Sequence, residues 1–468
     1  MQSSVEPKVT QDPAPNAQSR WLDIRSGIVI ADILLLCAML AWLPFDPMVN
    51  KGLGILVFIA ILWLTEALHV TVTALLIPLL ATLLGVFDMA KSLTDFANPI
   101  LFLFFGGFAL AAALSKQGLD RLMAAKVMQL ARGHLVWGAI LLFTITAAMS
   151  MWISNTATAA MMLPLGVGLL SQLDSQRDRR TYVFVLLGIA YSASIGGIGT
   201  LVGSPPNAIA AAQMGISFTD WMKFGMPVVL ILMPCGIALL YLVTRPDLSH
   251  RVESQQVTIR WTRDRKATLT IFLITVVLWI GSQPIAKALG GIPQFDSLIA
   301  IGAIIAIAIS RVASWDDINQ NTDWGVLMLF GGGLTLSAIL KATGTSAFLA
   351  EHLSELLAHA NLFIVLLILA AFVVFLTELV SNTATAALLI PLFAGVAEAL
   401  GVSPVVMSVL IAIGASCAFM LPVATPPNAI VFASGHIQQR EMMRAGLALN
   451  LVFTLLLAIL AYFVGDIL

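Results

Sequence analysis

Two apolar stretches in this chain, 134–170 and 361–400, are too long to cross a membrane once. As straight helices each would extend roughly 55 Å or more, at about 1.5 Å per residue, against a hydrocarbon core about 30 Å thick. Each reads as two short helices meeting at a tip inside the membrane, a re-entrant hairpin that leaves by the side it entered. Eleven further stretches have single-crossing length: 28–44, 52–69, 70–87, 98–114, 182–215, 221–243, 268–286, 293–310, 324–340, 404–435 and 445–466. Composition excludes a soluble chain. Charged residues are 10% and hydrophobic residues 59% of 468, with a mean hydropathy of +0.96, whereas a soluble domain carries about 25% charge. The expected fold is an all-α polytopic membrane protein with eleven transmembrane helices plus two re-entrant helical hairpins.

Charge placement tests that count. With the N-terminus cytoplasmic, eleven crossings leave the C-terminus outside. Nineteen of the 24 Lys and Arg residues then lie on the cytoplasmic side, in the tail, in 115–133, at Arg177, Arg179 and Arg180, in 244–267, and at Arg311, Arg440 and Arg444. Only Lys51, Lys91, Lys223, Lys287 and Lys341 stay outside, as the positive-inside rule requires. A full crossing at 134–170 would set Arg177–Arg180 opposite 115–133 and degrade the pattern. Residues 1–27 are polar and carry both charge signs, without the apolar run of a secretory signal. They are expected to be a cytoplasmic tail, followed by a retained leading span within 28–51. Cys37, Cys235 and Cys417 share no loop and no CxxC spacing, and read as packing residues.

The chain also repeats itself. MWISNTATAAMMLPL at 151–165 matches ELVSNTATAALLIPL at 378–392, VGSPPNAI at 202–209 matches VATPPNAI at 423–430, and LFFGGFAL at 103–110 matches LFGGGLTL at 329–336. Offsets of 227, 221 and 226 keep the three in order. One repeat spans 52–243 with hairpin 134–170, the other 268–468 with hairpin 361–400, and the basic segment 244–267 is a cytoplasmic linker. Each holds five crossings, so the second copy enters from the opposite face: inverted-topology repeats.

In SNTATAA, Ser and Asn suit the N-cap of the hairpin's second helix. In GSPPN and ATPPN, paired prolines stop one helix and suit the first turn of the next. Such breaks free backbone groups that lipid cannot satisfy, so they line a cavity or lie buried in protein. Four half-helix N-termini then favour an anion, and the freed carbonyls and hydroxyls at the preceding helix ends suit a hard cation such as sodium. No Arg or Lys lies within either motif. Helix ends contribute about 0.3–2 kcal/mol each, too little to replace the solvation of a dianion, so co-bound sodium contributes more. Polar glue between helices is the plainer reading of one SNT cluster, but duplication beside a duplicated Pro-Pro-Asn break favours a binding site. The paired glycines are read as close-packing points. Glu66, His69 and Glu378 lie in apolar segments, where an ionisable group is suspect. The repeat equivalent of Glu378 is Met151, so Glu378 is given a structural or supporting role.

With these paired signatures the sequence resembles the divalent anion/sodium symporter family, specifically its bacterial INDY-type sodium–dicarboxylate transporters, from about residue 28 to the end. The resemblance implies a homodimer in the bacterial inner membrane, with an elevator-type transport domain. It implies sodium-coupled uptake of C4-dicarboxylates such as succinate, malate or fumarate. By position, one sodium site resembles a set formed by Ser150, Ser154, Asn155 and Gly203, and a second by Thr377, Val380, Asn382 and Ala424. Substrate carboxylates would meet Asn155, Thr156 and Ser204 on one side and Asn382, Thr383, Thr425 and Pro426 on the other. The expected partners are the dicarboxylate, sodium, membrane lipid and a second copy, with no nucleic acid. Competing readings are a dicarboxylate exchanger, a citrate or sulfate symporter, a channel, and an intramembrane enzyme. The last is disfavoured because no HExxH pair and no paired membrane aspartates occur.

Overall fold

A computed structural model describes residues 24–251, 260–357, 361–397 and 401–465. Residues 1–23 of the expected tail, 252–259 of the linker, 398–400 at the end of the second long stretch and 466–468 lie outside the described residues. The first half holds α1 (Ile24–Trp42), α2 (Pro47–Thr65), α3 (Val70–Leu83), α4 (Met89–Ser92), α5 (Pro99–Lys116) and α6 (Leu119–Met128). It continues with α7 (Leu135–Ser150), α8 (Asn155–Leu170), α9 (Arg179–Gly196), α10 (Pro205–Met214) and α11 (Phe218–Thr244). The second half holds α12 (Arg263–Ile280), α13 (Ser282–Ala288), α14 (Phe295–Ser310), α15 (Trp315–Asn321), α16 (Trp324–Ala342) and α17 (Thr345–Leu357). It ends with α18 (Leu362–Leu376), α19 (Asn382–Val396), α20 (Pro404–Ala415), α21 (Pro426–Ala433) and α22 (Gln439–Gly465). Among the described residues the only bridge pairing is His134 with Arg251.

Seven of these helices are long and apolar enough to cross a membrane, eight if α12 and α13, bent by 75° at their junction, count as one span. The chain is an integral membrane protein. Both over-long stretches are divided as expected: 134–170 becomes α7 and α8, and 361–400 contains α18 and α19, each pair interrupted at the SNT motif. The apolar stretches 182–215 and 404–435 are divided too, at the residues before each Pro-Pro-Asn. Local sequence sets the starts. Asn98 accepts from Ile100 N at 3.1 Å and precedes Pro99 at the first position of α5, and Asn361 accepts from Phe363 N at 2.9 Å ahead of α18.

The packing repeats as the sequence does. Helix α5 packs on α14 and α16 on α3; α7 and α8 pack on α9, while α18 and α19 pack on α20. Glycine makes the first two contacts possible. A Cβ on Gly106 would stand 2.6 Å from that of Ala300, and one on Gly332 would stand 2.8 Å from that of Ala74. Gly332 is the repeat equivalent of Gly106, and Ala300 of Ala74. The GG motifs are close-packing points, as their sequence suggests. Helix α9 is buried along nearly its whole length, so the segment leading into GSPPN lies at the centre of the molecule.

Two sets of polar contacts join distant segments near the ends of the spans. One joins Lys116 to Asp317 at 2.9 Å, Gln117 Nε2 to Val312 O, Arg265 Nε to Gln117 O, Thr181 Oγ1 to Asp247 O and Arg179 to Glu441. The Lys116 ammonium and the Ser314 amide and hydroxyl hold the Asp317 carboxyl down at about 2, so that group stays charged throughout the neutral range. The other set joins Phe218 N to Asp296 at 2.8 Å, Gln283 to Ser217, Ser297 to Pro99 O and Thr345 to Val49 O. Every member of the first set lies at or beside a segment that the charge rule assigns to the cytoplasm, and every member of the second at or beside one assigned outside. The α7–α8 pair begins and ends in the first set. Leu135 N donates to His250 O at 3.3 Å, and Asp178, beyond α8, lies 3.6 Å from His250 Nε2.

Candidate functional site

Four helices start at the duplicated breaks with Ser or Thr at each N-cap, and Ser154 and Thr425 make the side-chain capping bond while Ser204 and Ser381 do not. Ser154 caps α8, its Oγ accepting from Ala157 N at 3.3 Å, and Ser381 stands at the N-cap of α19. Ser204 and Thr425 are the N-caps of α10 and α21, with Pro at the first helical position, and Thr425 Oγ1 accepts from Asn428 N at 3.3 Å. The four starts converge through crossed packing of the halves: α8 lies against α21, and α19 against α10. Ser204 Oγ and Ser416 Oγ meet at 3.2 Å across that seam, and Tyr191 Oη donates to Phe419 O at 2.8 Å.

The ends of the preceding half-helices carry matched polar clusters. In the first half, Ser150 Oγ lies 2.6 Å from the Asn155 amide and 2.7 Å from Ala193 O. In the second, Thr377 Oγ1 lies 2.8 Å from Asn382 Oδ1 and 2.9 Å from Ala415 O. One hydroxyl carries one proton, so in each cluster it cannot serve both acceptors. The crowding of acceptors is greater still in the first half. The Asn155 amide atom facing Ser150 lies 3.1 Å from Ala193 O and 3.2 Å from Gly203 O. That position calls for a donor: the amide nitrogen, turned in, donates to these carbonyls and to Ser150 Oγ, whereas a bound cation would take the amide oxygen instead. Neutral oxygen donors of this kind, with no acidic residue among them, match a hard monovalent ion.

Below each cluster the broken segment is held by the asparagine of Pro-Pro-Asn. Asn207 Nδ2 donates to Gly197 O at 2.9 Å and Thr200 O at 2.8 Å; Asn428 Nδ2 donates to Ala418 O at 3.2 Å and Leu421 O at 3.0 Å. These partners are related by the same 221-residue offset as the motif. Freed carbonyls are therefore satisfied by protein, the condition for irregular backbone inside a membrane. Gly203 leaves no room for a side chain, since a Cβ would meet Gly197 O and Ser150 O.

The expected site residues separate by exposure. Ser150, Gly203, Ser204, Thr377, Val380, Ala424 and Thr425 are buried; Asn155, Asn382 and Thr383 are half-buried; Ser154, Thr156 and Pro426 are exposed. Asn155 and Asn382 belong to the clusters themselves, and Ser154, Thr156 and Pro426 are the most exposed of the set. Val380 makes no side-chain polar contact, as its chemistry dictates. A cavity of about 180 Å³ reaches Ile153, Ser154 and Ala157 of the first hairpin from Arg121 on α6 and Ser115 on α5, on the basic side of the molecule.

Several participants went unassigned in the sequence. Ala193 and Ala415 contribute only carbonyls, which no side-chain pattern marks. Asn207 and Asn428 belong to a recognised motif, and their clamp is legible in its duplication. Glu66 and His69 are not mid-span groups: Glu66 ends α2 in the left-handed region (φ 48°), and His69 Nδ1 accepts from Thr71 N at the start of α3. Both are exposed. Asp32 of α1, an ionisable group in the apolar stretch 28–44 to which the sequence assigns no role, is buried with neither carboxylate oxygen hydrogen-bonded.

Broken helices paired by an internal repeat, with acceptor clusters where the halves meet, belong to a membrane transporter rather than to an enzyme. The model of the CitMHS family, described as citrate transporter, matches residues 60–412. The chain belongs to this family, and with it to the divalent anion/sodium symporters. It is 53% identical over 446 residues to an uncharacterized transporter of Haemophilus influenzae, covering 94% of this chain and 97% of the relative. It is 33% identical over 481 residues to the sodium-dependent dicarboxylate transporter SdcS of Staphylococcus aureus, covering 94% and 90%. Among solved structures, the Alcanivorax borkumensis YdaH transporter superposes with a TM-score of 0.56 at 17% identity, covering 82% of this chain and 88% of that one. The Neisseria gonorrhoeae MtrF structure gives 0.53 at 15%, covering 82% and 83%. These two likenesses concern the fold.

Proposed function

We propose that this transporter carries C4-dicarboxylates such as succinate, malate or fumarate into the cell together with sodium. The observation that carries the proposal is the pair of matched clusters, Ser150–Asn155–Ala193 and Thr377–Asn382–Ala415, each set where one half-helix ends and another begins. Acceptors outnumber protons in the second cluster, and in the first when the Asn155 oxygen faces Ser150, which favours a cation there. The starts of α8, α10, α19 and α21 favour carboxylates beside it. Ser150, Ser154, Asn155 and Gly203 would hold one sodium ion, and Thr377, Val380, Asn382 and Ala424 the other. Asn155, Thr156 and Ser204 would take one carboxylate; Asn382, Thr383, Thr425 and Pro426 would take the second. Two similar half-sites suit a solute with two acidic ends, and the dicarboxylate transporter of Staphylococcus aureus supports that class.

In this reading the chain makes eleven crossings and two re-entrant hairpins in the inner membrane, with a cytoplasmic N-terminus and a periplasmic C-terminus. Repeats 52–243 and 268–468 are inverted around the linker 244–267, and a homodimer carries the solute by an elevator movement. The return of the α7–α8 pair to the segment around His250 supports the first hairpin. Single cysteines test this arrangement in a variant free of Cys37, Cys235 and Cys417. Gln176→Cys and Ser249→Cys are expected to react with an impermeant maleimide from the cytoplasmic side only, and Ile292→Cys from the outside only. Lys126→Cys should label from the same side as Gln176→Cys; labelling of these two from opposite sides would make 134–170 a full crossing.

The transport reading is tested in proteoliposomes loaded without counter-substrate. Labelled succinate should accumulate with an inward sodium gradient and not with potassium in its place. Thr156→Ala and Thr383→Ala should each lower uptake by about tenfold, the worth of one hydrogen bond to a charged group. Wild-type rates in both variants would remove the two-half-site arrangement. The family model's description favours a second reading, citrate as the carried anion. Excess unlabelled citrate or sulfate that abolishes succinate uptake, and is itself accumulated, would establish it. Uptake that requires internal dicarboxylate would indicate an exchanger.

A further inference from the structure

A buried carboxylate stands one residue from the second cluster and is no part of it. Glu378 follows Thr377 and is 3% exposed. Its Oε1 accepts from Phe419 N at 2.6 Å, Met420 N at 2.8 Å and Asn450 Nδ2 at 2.7 Å, and its Oε2 accepts from Leu421 N at 3.0 Å. All four partners donate and none requires a proton from it, the bonding of an ionised carboxylate. Leu421 is thereby held from both sides, because its carbonyl accepts from Asn428 Nδ2 at 3.0 Å and Ala424 N at 3.2 Å. Through this one residue the hairpin fixes the turn that presents Ala424.

The first half is tied differently. Met151 occupies the equivalent place, and the tie there is one neutral hydrogen bond, from Thr200 Oγ1 to Met151 O. Thr200 is the repeat equivalent of Leu421. The two hairpins thus join their broken segments by opposite means: a carboxylate gripping three consecutive amides in the second half, and a hydroxyl on a carbonyl in the first.

We propose that Glu378 is the positioning residue of the second sodium site. It locks the tip at 377–382 and the segment 418–424 into one unit, and it gives that site a fixed negative charge which the first site lacks. The proposal rests on the sodium-coupled reading above. Away from bulk water, a full negative charge in the unit that carries this site favours a cation there, so the second site is the tighter of the two.

The test uses the full-length protein, with two readouts: the sodium dependence of succinate uptake in proteoliposomes, and the sodium-induced rise in unfolding temperature without substrate. In Glu378→Gln the half-saturating sodium concentration should rise at least about tenfold in both, since a charged acceptor is lost. Glu378→Asp should recover part of the shift. Asn450→Ala, which removes one of the four donors, should move sodium dependence the same way by less. Thr200→Val should change it less than about threefold, the loss of one neutral bond. Wild-type sodium dependence in a folded Glu378→Gln protein would overturn the proposal. Should Glu378→Gln fail to fold, unchanged sodium dependence in Asn450→Ala would overturn it equally, leaving Glu378 a brace alone. A wild-type protein indifferent to sodium in both readouts removes the sodium-coupled reading and this one with it. A sodium-dependent wild type with unaffected variants removes this one only.

Discussion

Replacing Asn155 with alanine is expected to abolish measurable uptake at ordinary sodium concentrations, and replacing Asn382 should do the same. Each side chain stands at the centre of a cluster whose other members are buried. Without Asn155, Gly203 O and the second acceptor position beside Ser150 lose their partner. Leaving a buried polar group unpaired costs about 1–3 kcal/mol, so two such losses amount to roughly 2–6 kcal/mol, or about 30- to 20,000-fold in affinity. The loss should appear as a higher half-saturating sodium concentration before it appears as a lower maximum rate, because the affected groups face the ion. Uptake by Asn155→Ala at more than about a tenth of the wild-type rate in low sodium would contradict the assignment of this cluster. A protein that keeps one cluster and loses the other should still bind sodium, with the occupancy of a single site.

The second large effect concerns folding. Gly106→Val and Gly332→Val should each yield protein that is aggregated or melts at a markedly lower temperature in detergent. A Cβ at Gly106 would stand 2.6 Å from the Ala300 Cβ and 2.9 Å from its Cα; at Gly332 the distances to Ala74 are 2.8 and 3.0 Å. Backbone atoms cannot step aside as a flexible side chain can, so the helices must separate. Overpacking of this kind costs about 1–3 kcal/mol, occasionally more, and here it also opens a helix pair along its length. Gly302→Val on α14 is the matched control, since nothing lies within 4 Å of its added carbon. Equal melting temperatures for all three would show that α5–α14 and α16–α3 tolerate separation.

Much of the arrangement is legible without any coordinates. The apolar stretches correspond to helices because, in lipid, each backbone group must be bonded within its own segment, which leaves a run of about 20 apolar residues little choice. SNTATAA and the Pro-Pro-Asn motifs are legible as helix breaks from cap and proline chemistry alone, and Ser154, Ser381, Ser204 and Thr425 do stand at helix starts. Duplication reveals which residues correspond, and so which form matched clusters. Other features are hidden. The 75° bend between α12 and α13 falls at Gly281-Ser282-Gln283-Pro284, a break inside a stretch that reads as one span. Glu66 and His69 look like intramembrane charges because the stretch 52–69 runs past the end of α2 at Thr65 into the turn before α3.

By itself, then, the order of residues determined that the chain is built of helices, where the long runs break, and which half repeats which, because these depend on local bonding and on the exclusion of polar backbone from lipid. It could not determine which atoms meet. Ala193 and Ala415 enter the clusters through carbonyls that every residue possesses. Glu378 found its three amides 41 to 43 positions away, and α8 and α19 each packed on the Pro-Pro-Asn helix of the opposite half. Those pairings rest on how close the backbones can come, a matter of glycines and crossing helices that only the folded chain decides.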